Sequence, residues 1–432
     1  MAQKIAVLGA GTMGAGIAQL AAQNGFDVLL YDVKDEFVQR GLGNIKKSLQ
    51  GRVDKGKLSS EEMDAAASRL RATTKRDEAA DADFIIEAAP EDLDLKREIF
   101  SSLSEKASAE TLLLTNTSSL SVTSIASAAK RPECVAGMHF FNPAPAMALV
   151  EVVAGSRTSP DVVQTVAKLA RDLGKLPVIV ADMPGFIVNR VARPFYGEAL
   201  KIVGEGTATV LQVDEAMRGA GFRMGPFELM DFIGIDINFA VTHSVFEAFF
   251  GEPRYRPHPI QQRMVEAGTL GQKSGSGFYR YAGKKRLDPL TPMFSTFQHH
   301  GSTSFLTPVL LSTFLEKAGI EQVPELEAHA EIVTRILAMI MNEAAFAVGE
   351  GVASVRDIDR AMKLGTNYPK GPLRWADEVG LEVVLEVLRS LQAKQGEERY
   401  RPAPVLRRLV EAGITGDAVG EGFHSPGEKG MV

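Results

Sequence analysis

Gly9, Gly11 and Gly14 stand between a short apolar run, Lys4 to Leu8, and a helical pattern, so the chain turns sharply out of a strand into a helix. The first glycine allows the turn, the second lets backbone approach a ligand closely, and the third lets the helix pack on the strand. Thr12 and Met13 lie between the last two, at the start of the helix. Unpaired N–H groups at a helix N-terminus favour an anion, and this turn suits a pyrophosphate. The next apolar run, Phe26 to Tyr31, ends at Asp32, about 20 residues further on, where a carboxylate accepts from a ribose 2′-hydroxyl. That charge repels a 2′-phosphate, so the spacing favours NAD over NADP, with Lys34 as the residue that could soften the choice.

Through the first 180 or so residues apolar runs alternate with helical segments: Ile5 to Leu8, Val28 to Tyr31, Asp83 to Ala88, Thr111 to Thr115, Cys134 to Phe140, Leu149 to Val153 and Val178 to Ala181. This alternation predicts an α/β fold, a doubly wound and mostly parallel sheet of Rossmann type, with ligands at the carboxyl ends of its strands. Pro184-Gly185 closes that region, and long helical segments follow. Beyond it the sequence repeats. Gly204-Glu205-Gly206 matches Gly349-Glu350-Gly351, Gly225-Pro226 matches Gly371-Pro372, Tyr255-Arg256-Pro257 matches Tyr400-Arg401-Pro402, and Gly277-Phe278 matches Gly422-Phe423, at an offset of 145 or 146. The expected organisation is therefore an NAD-binding domain at 1–184, a first helical domain at 185–283, a linker at 284–324, and a second, homologous helical domain at 325–432. The copies differ in polar residues. Asn189 is replaced by Thr334 and Lys273 falls opposite Ala418, so the first copy reads as site-forming and the second as structural.

Composition narrows the partners. The chain has 432 residues, 45% apolar and 24% charged, with a net charge of −6, which is ordinary for a globular protein and gives no basic field for nucleic acid. Its one cysteine, Cys134, cannot form an internal disulfide and reads as a small core residue. No apolar stretch is expected to reach the ~20 residues of a membrane span, and the early first strand leaves no room for a leader, so a cytoplasmic location is expected. The seven histidines show no metal-binding spacing, and no metal is expected.

His139 is the candidate base. It precedes Phe140-Phe141-Asn142-Pro143, and Glu151 follows a turn containing Pro143 and Pro145; folding the chain back about residue 145 makes His139 and Glu151 cross-strand neighbours. A carboxylate there orients an imidazole and stabilises its charged form. Oxidising an alcohol with NAD requires a group that takes the hydroxyl proton, a task that suits histidine. A structural buried His–Glu pair is the alternative. Ser118 and Asn189 are hydrogen-bonding candidates, each of which could instead be a helix-start residue. Lys46, Lys47, Arg52, Lys55 and Lys57 form a basic cluster after Asp32, either a solvated helix face or a landing place for the phosphates of a second ligand.

Together these motifs resemble the L-3-hydroxyacyl-CoA dehydrogenase family: the Gly9 to Gly14 turn, Asn116-Thr117-Ser118-Ser119-Leu120, His139-Phe140-Phe141-Asn142-Pro143, Leu149-Val150-Glu151-Val152-Val153, Pro184-Gly185-Phe186-Ile187-Val188-Asn189-Arg190 and Gly225-Pro226-Phe227-Glu228-Leu229. The resemblance runs from Ile5 to about Tyr281, and the repeat extends it. It implies that His139 and Glu151 form the catalytic pair and that Ser118 and Asn189 position the substrate oxygen. Asp32, Glu91, Lys96, Ser118, Asn142 and Lys273 are implied around NAD, and Ser48 and Lys55, with Ser118, beside coenzyme A. The implied reaction is reversible oxidation of a 3-hydroxyacyl-CoA to the 3-oxoacyl-CoA, in fatty-acid or aromatic-acid degradation. Simple members carry one helical C-terminal domain, through which they dimerise, whereas this chain carries two, as do forms resembling the 3-hydroxyadipyl-CoA dehydrogenases and the dehydrogenase part of multifunctional β-oxidation proteins. The second copy is then expected either to accompany a homodimer or to stand in for a dimer partner within a monomer. No enoyl-CoA hydratase module is expected. Two other readings remain: a gulonate-type dehydrogenase of a free hydroxy acid, and a non-catalytic NAD-binding protein on the same scaffold.

Overall fold

The computed structural model describes residues 3–289, 304–320 and 327–425. They divide into two compact units, Met1–Phe186 and Ile187–Val432.

The first unit runs β1 (Lys4–Leu8), α1 (Thr12–Gln23), β2 (Asp27–Tyr31), α2 (Asp35–Val53), α3 (Ser60–Ser68), β3 (Leu70–Thr73), β4 (Phe84–Glu87), α4 (Leu93–Lys106), β5 (Leu112–Thr115), α5 (Val122–Ala126), β6 (Val135–Phe140), β7 (Leu149–Ala154), α6 (Pro160–Asp172) and β8 (Leu176–Ala181). The strands form one sheet in the order β3-β2-β1-β4-β5-β6-β7-β8. The strands from β3 to β6 are parallel; β7 runs antiparallel to β6, and β8 follows β7. Successive β1 side chains enter different cores, Ile5 and Val7 on one face and Ala6 and Leu8 on the other, as a sheet covered on both faces requires. Strand order reverses between β1 and β4, which puts the ligand crevice at the ends of those strands. The apolar runs missed β3. Leu70-Arg71-Ala72-Thr73 is a half-exposed edge strand with no continuous apolar stretch.

The second unit contains both helical copies. The first runs α7 (Val188–Val191), α8 (Arg193–Gly204), α9 (Val210–Gly219), α10 (Pro226–Ile233), α11 (Ile235–Ala248), α12 (Pro259–Glu266) and the hairpin β9 (Tyr279–Ala282) and β10 (Lys285–Pro289). After α13 (Pro308–Lys317), the second runs α14 (Glu327–Gly349), α15 (Val355–Thr366), α16 (Pro372–Val379), α17 (Leu381–Gln395) and α18 (Pro404–Glu411). Within 284–324, then, β10 and α13 are regular elements, and Trp375 Nε1 donates to the Ala318 carbonyl just after α13 at 3.0 Å. Residues 290–303 and 321–326 of that stretch lie outside the described residues.

Helices α7 and α8 together correspond to the single helix α14. Pro194 in the first turn of α8 has no N–H to continue the ladder from α7, and Met339 stands at its place in α14. His329–Gly349 of α14 is long and apolar enough to cross a membrane, contrary to expectation, but 89% of that window is buried within the protein.

The copies exchange matching ion pairs. Arg190 Nε lies 2.7 Å from Glu343 and Arg335 Nε 2.9 Å from Glu198. Arg254 reaches Glu343 at 2.6 Å and Arg399 reaches Glu198 at 3.2 Å. Tyr255 and Tyr400 donate their hydroxyls to the same two carboxylates. Each residue of one set lies 145 positions from its counterpart, so the contact is two-fold in pattern.

Candidate active site

The turn from β1 to α1 fits a pyrophosphate by a test internal to the protein. Gly9 has φ of 101°, a conformation that favours glycine. A Cβ on Gly14 would collide with the Gly9 carbonyl oxygen, so the helix packs on the turn only with glycine there. A Cβ on Gly11 would meet nothing within 4 Å, so no protein neighbour requires glycine at that position. Gly11 is also the N-cap of α1, which has neither a side-chain cap nor an acidic residue in its first turn. These N–H groups are suited to an anionic ligand. Asp32, just past β2, accepts the Ala10 N–H and the Val33 N–H, both at 2.7 Å, which fixes the carboxylate beside the turn.

Three strands along the sheet from β1, the expected register is present: β6 and β7 pair His139 with Glu151, and His139 Nδ1 lies 2.7 Å from Glu151 Oε2. The histidine is 6% exposed and the glutamate fully enclosed. Phe141 and Phe186 flank the imidazole at ring distances of 4.6 and 5.8 Å. With Nδ1 held by a carboxylate, Nε2 is the nitrogen available for proton exchange.

Glu91 gathers the loop that follows β5. Its Oε1 accepts from the Thr117 hydroxyl at 2.6 Å, the Ser118 N–H at 2.9 Å and the Ser119 N–H at 3.1 Å, with both serine hydroxyls in reach. Burial opposes ionisation of Glu91, but neighbouring Lys96 and these hydrogen bonds outweigh it and hold the carboxyl below its ordinary range. Ser118 does not cap the next helix. Ser121 is the N-cap of α5, and Asp182 also accepts from the Val122 and Thr123 N–H groups. Lys96 is 1% exposed, its ammonium 2.6 Å from Glu87 and 3.4 Å from Glu91. Any influence it has on a nucleotide therefore passes through Glu91.

Sequence reasoning missed Glu87 and Lys175 beneath this surface, and named Asn116 only as part of a motif, without a role. Glu87, fully enclosed at the end of β4, binds Lys96, accepts the Ala89 N–H at 2.7 Å and accepts the Thr115 hydroxyl at 2.7 Å. Asn116 accepts the Phe140 N–H, tying β5 to β6 beside His139. Lys175 donates to the carbonyls of Ala144 and Met147, both at 2.7 Å, and so shapes the turn that carries Asn142. The available signal was a charged residue inside or at the end of an apolar run, which does not reveal its partner.

A cleft of about 700 Å³ lies between α1, α2 and the 142–146 turn. Ser48, Lys55, Asn142 and Thr12 all line it. So do Lys47, Arg52 and Lys57, whereas Lys46 does not, so four of the five clustered cations face one concave surface. Cys134 is partly buried against the core. No group of three or more His, Cys, Asp and Glu residues is placed to hold a metal among the described residues.

Asn189 and Lys273 belong to the second unit. Asn189 is the second residue of α7. Lys273 lies in a short 3-10 turn and pairs with Asp236, 2.7 Å from its Oδ2.

The family model described as the 3-hydroxyacyl-CoA dehydrogenase NAD-binding domain matches residues 4–183, and that of the C-terminal domain matches twice, at 185–281 and 332–425. The chain is 42% identical to the 3-hydroxyadipyl-CoA dehydrogenase of Escherichia coli K12 over 95% of its own length and 98% of that protein's. It is 43% identical to a probable 3-hydroxybutyryl-CoA dehydrogenase of Deinococcus radiodurans, over 64% of this chain and all of the relative. A crystal structure of 3-hydroxybutyryl-CoA dehydrogenase from Escherichia coli K12 superposes with a TM-score of 0.83 at 39% identity, covering 96% of this chain and 99% of that one. With an NAD-binding turn, a buried His–Glu pair and two copies of the C-terminal domain, this chain belongs to the 3-hydroxyacyl-CoA dehydrogenase family.

Proposed function

We propose that the protein oxidises an L-3-hydroxyacyl-CoA to the 3-oxoacyl-CoA, with His139 taking the hydroxyl proton. The observation that carries this reading is the enclosed His139–Glu151 pair at 2.7 Å, in the sheet whose first turn leaves open space at Gly11. Glu151 holds the imidazole through Nδ1 and stabilises the imidazolium that forms as Nε2 takes the proton. Ser118 and Asn189 position the substrate oxygen. Bound NAD supplies the hydride acceptor. Gly9, Gly11, Thr12, Met13 and Gly14 hold its pyrophosphate and Asp32 its ribose, while Glu91, Lys96, Ser118, Asn142 and Lys273 complete the site. In the reverse direction His139 returns the proton.

The basic cleft favours a thioester of coenzyme A over a free hydroxy acid. Lys47, Arg52, Lys55 and Lys57 offer cations to phosphates that a free acid does not have, and Ser48 lies among them. Remote binding of this kind aligns the short reacting segment. The relatives named for 3-hydroxyadipyl-CoA and 3-hydroxybutyryl-CoA share that thioester, and we assign the shared class. A cytoplasmic catabolic role in fatty-acid or aromatic-acid breakdown accords with it. The reciprocal ion pairs support the second copy as an internal stand-in for a dimer partner.

Steady-state NADH formation with 3-hydroxybutyryl-CoA and with free hydroxy acids tests the assignment. Turnover of the thioester is expected; oxidation of a free acid with rejection of every thioester would overturn it.

A further inference from the structure

Glu87, Lys96 and Glu91 form a chain of charge that runs from the core of the first unit outward to its ligand crevice. Glu87 is fully enclosed and Lys96 is 1% exposed, whereas the Glu91 side chain keeps 36% of its surface open. The Lys96 ammonium directs its three donors at Glu87 Oε1 at 2.6 Å, the Ala89 carbonyl at 3.3 Å and Glu91 Oε2 at 3.4 Å. Glu87 accepts on both oxygens, from Lys96 and the Ala89 N–H on one and from the Thr115 hydroxyl on the other, the pattern of an ionised carboxylate. Two carboxylates and one ammonium leave one negative charge, and among the described residues no other Lys, Arg or His side chain pairs with either carboxylate.

This charge borders the dinucleotide crevice. The Leu8–Glu87 register sets the end of β4 beside the glycine turn, and a Cβ on Gly9 would lie 2.5 Å from the Ala88 carbonyl oxygen. With the adenosine ribose at Asp32 beyond β2 and the pyrophosphate at the turn after β1, the nicotinamide half continues over the ends of β4 and β5 toward His139 on β6. Glu91 and the Ser118 loop that it holds stand on that course. An oxidised nicotinamide ring carries a positive charge and a reduced ring carries none, so a fixed negative charge beside its path distinguishes the two.

We infer that Glu91 favours the oxidised over the reduced cofactor through its charge, with Glu87 and Lys96 as positioning residues that fix that charge from beneath. The inference rests on the proposed function, which brings the dinucleotide to this crevice. As hydride leaves the substrate carbon for the ring and the hydroxyl proton passes to His139, the positive charge of the site moves away from Glu91 and toward Glu151. Glu91 thus draws in NAD and loosens its hold on NADH once the alcohol is oxidised.

The test measures Kd for NAD by calorimetric titration and Kd for NADH by its fluorescence, on the whole chain at one pH. A unit charge about 10 Å from a cation shifts such a balance roughly 15-fold at an effective dielectric of about 20, and water in an open crevice weakens the effect. Glu91→Gln is expected to raise Kd(NAD)/Kd(NADH) about 5- to 15-fold, while Glu91→Asp, which keeps the charge, leaves the ratio within about twofold of wild type. Glu87→Gln is expected to raise it about 3- to 5-fold, although that side chain is sealed from any ligand. A cluster that only shapes the loop would weaken both dinucleotides in parallel. An unchanged ratio in either glutamine variant therefore overturns the inference, and so does a ratio that Glu91→Asp raises as far as Glu91→Gln. If Glu87→Gln does not fold, the two Glu91 variants decide. A wild-type protein that binds neither dinucleotide would instead refute the proposed function.

Discussion

Glu343→Gln tests whether the two helical copies are held as one unit by their exchanged charges. Glu343 is 2% exposed and accepts from Arg190 at 2.7 Å, from Arg254 at 2.6 Å and from the Tyr255 hydroxyl. The substitution keeps the shape and removes the charge, leaving two buried guanidinium groups short of a partner. Breaking a buried pair in this way costs about 3–5 kcal/mol. Some compensation remains, because Glu350 lies 2.8 Å from Arg190 and Glu252 lies 3.4 Å from Arg254. The lower end, about 3 kcal/mol, is therefore expected, which for a unit of this size lowers Tm by roughly 6–12 °C. Differential scanning calorimetry of the whole chain reads the shift. Glu198→Gln should give a similar loss, because Arg335, Arg399 and Tyr400 surround it in the reciprocal arrangement. Glu247→Gln, at an exposed pair with His243, should move Tm by no more than about 1 °C. A Glu343→Gln shift as small as that of Glu247→Gln would refute the reasoning.

Two further predictions concern the dinucleotide turn and pH. Gly11→Ala should leave the Tm of the ligand-free protein within about 2 °C of wild type while sharply weakening NAD binding by calorimetric titration, because the added methyl meets only ligand space. Gly14→Ala should destabilise the fold itself, since its Cβ collides with backbone. His424 bridges two buried carboxylates, with Nδ1 2.8 Å from Asp377 and Nε2 3.2 Å from Asp359. Burial opposes its charge, but the two carboxylates prevail and raise its pKa to about 9 from 6.5. Such a group stabilises the fold fully below pH 6.5 and loses that contribution as pH rises through 9, an effect of roughly 3 kcal/mol. Asp214 and Asp231, raised by burial to about 7 and about 6, also lose stability as pH rises, but over the lower range from about 4 to 7. The denaturant-derived difference between wild type and His424→Tyr should therefore shrink from pH 6.5 to 9; a difference independent of pH over that range would contradict the assignment.

Much of the site was legible because its signals are local or periodic. The glycine turn and Asp32 follow from backbone geometry over a short span, and fold-back about residue 145 places His139 opposite Glu151 since strand register is set by a tight connection. The repeat was legible from a constant offset. What escaped is what tertiary contact alone decides. Lys96 was named beside NAD only through the resemblance, and its enclosure on α4 against Glu87, nine residues earlier, had no sequence signal. Lys175 shapes a turn nearly thirty residues away in sequence. The edge strand Leu70–Thr73 lacked an apolar run because one of its edges faces no neighbouring strand. The apolar character of α14 was obscured by Glu331, Arg335 and Glu343, charges that are themselves buried in ion pairs.

The central claim is that His139 is the base, and it is tested most directly by His139→Gln, which keeps a hydrogen-bonding side chain but cannot take the proton. NADH formation from 3-hydroxybutyryl-CoA should fall in kcat by about 10²- to 10⁴-fold. The Kd for NAD should stay within about threefold of wild type, because the pyrophosphate and ribose positions are untouched. Undiminished kcat with intact NAD binding would contradict the account.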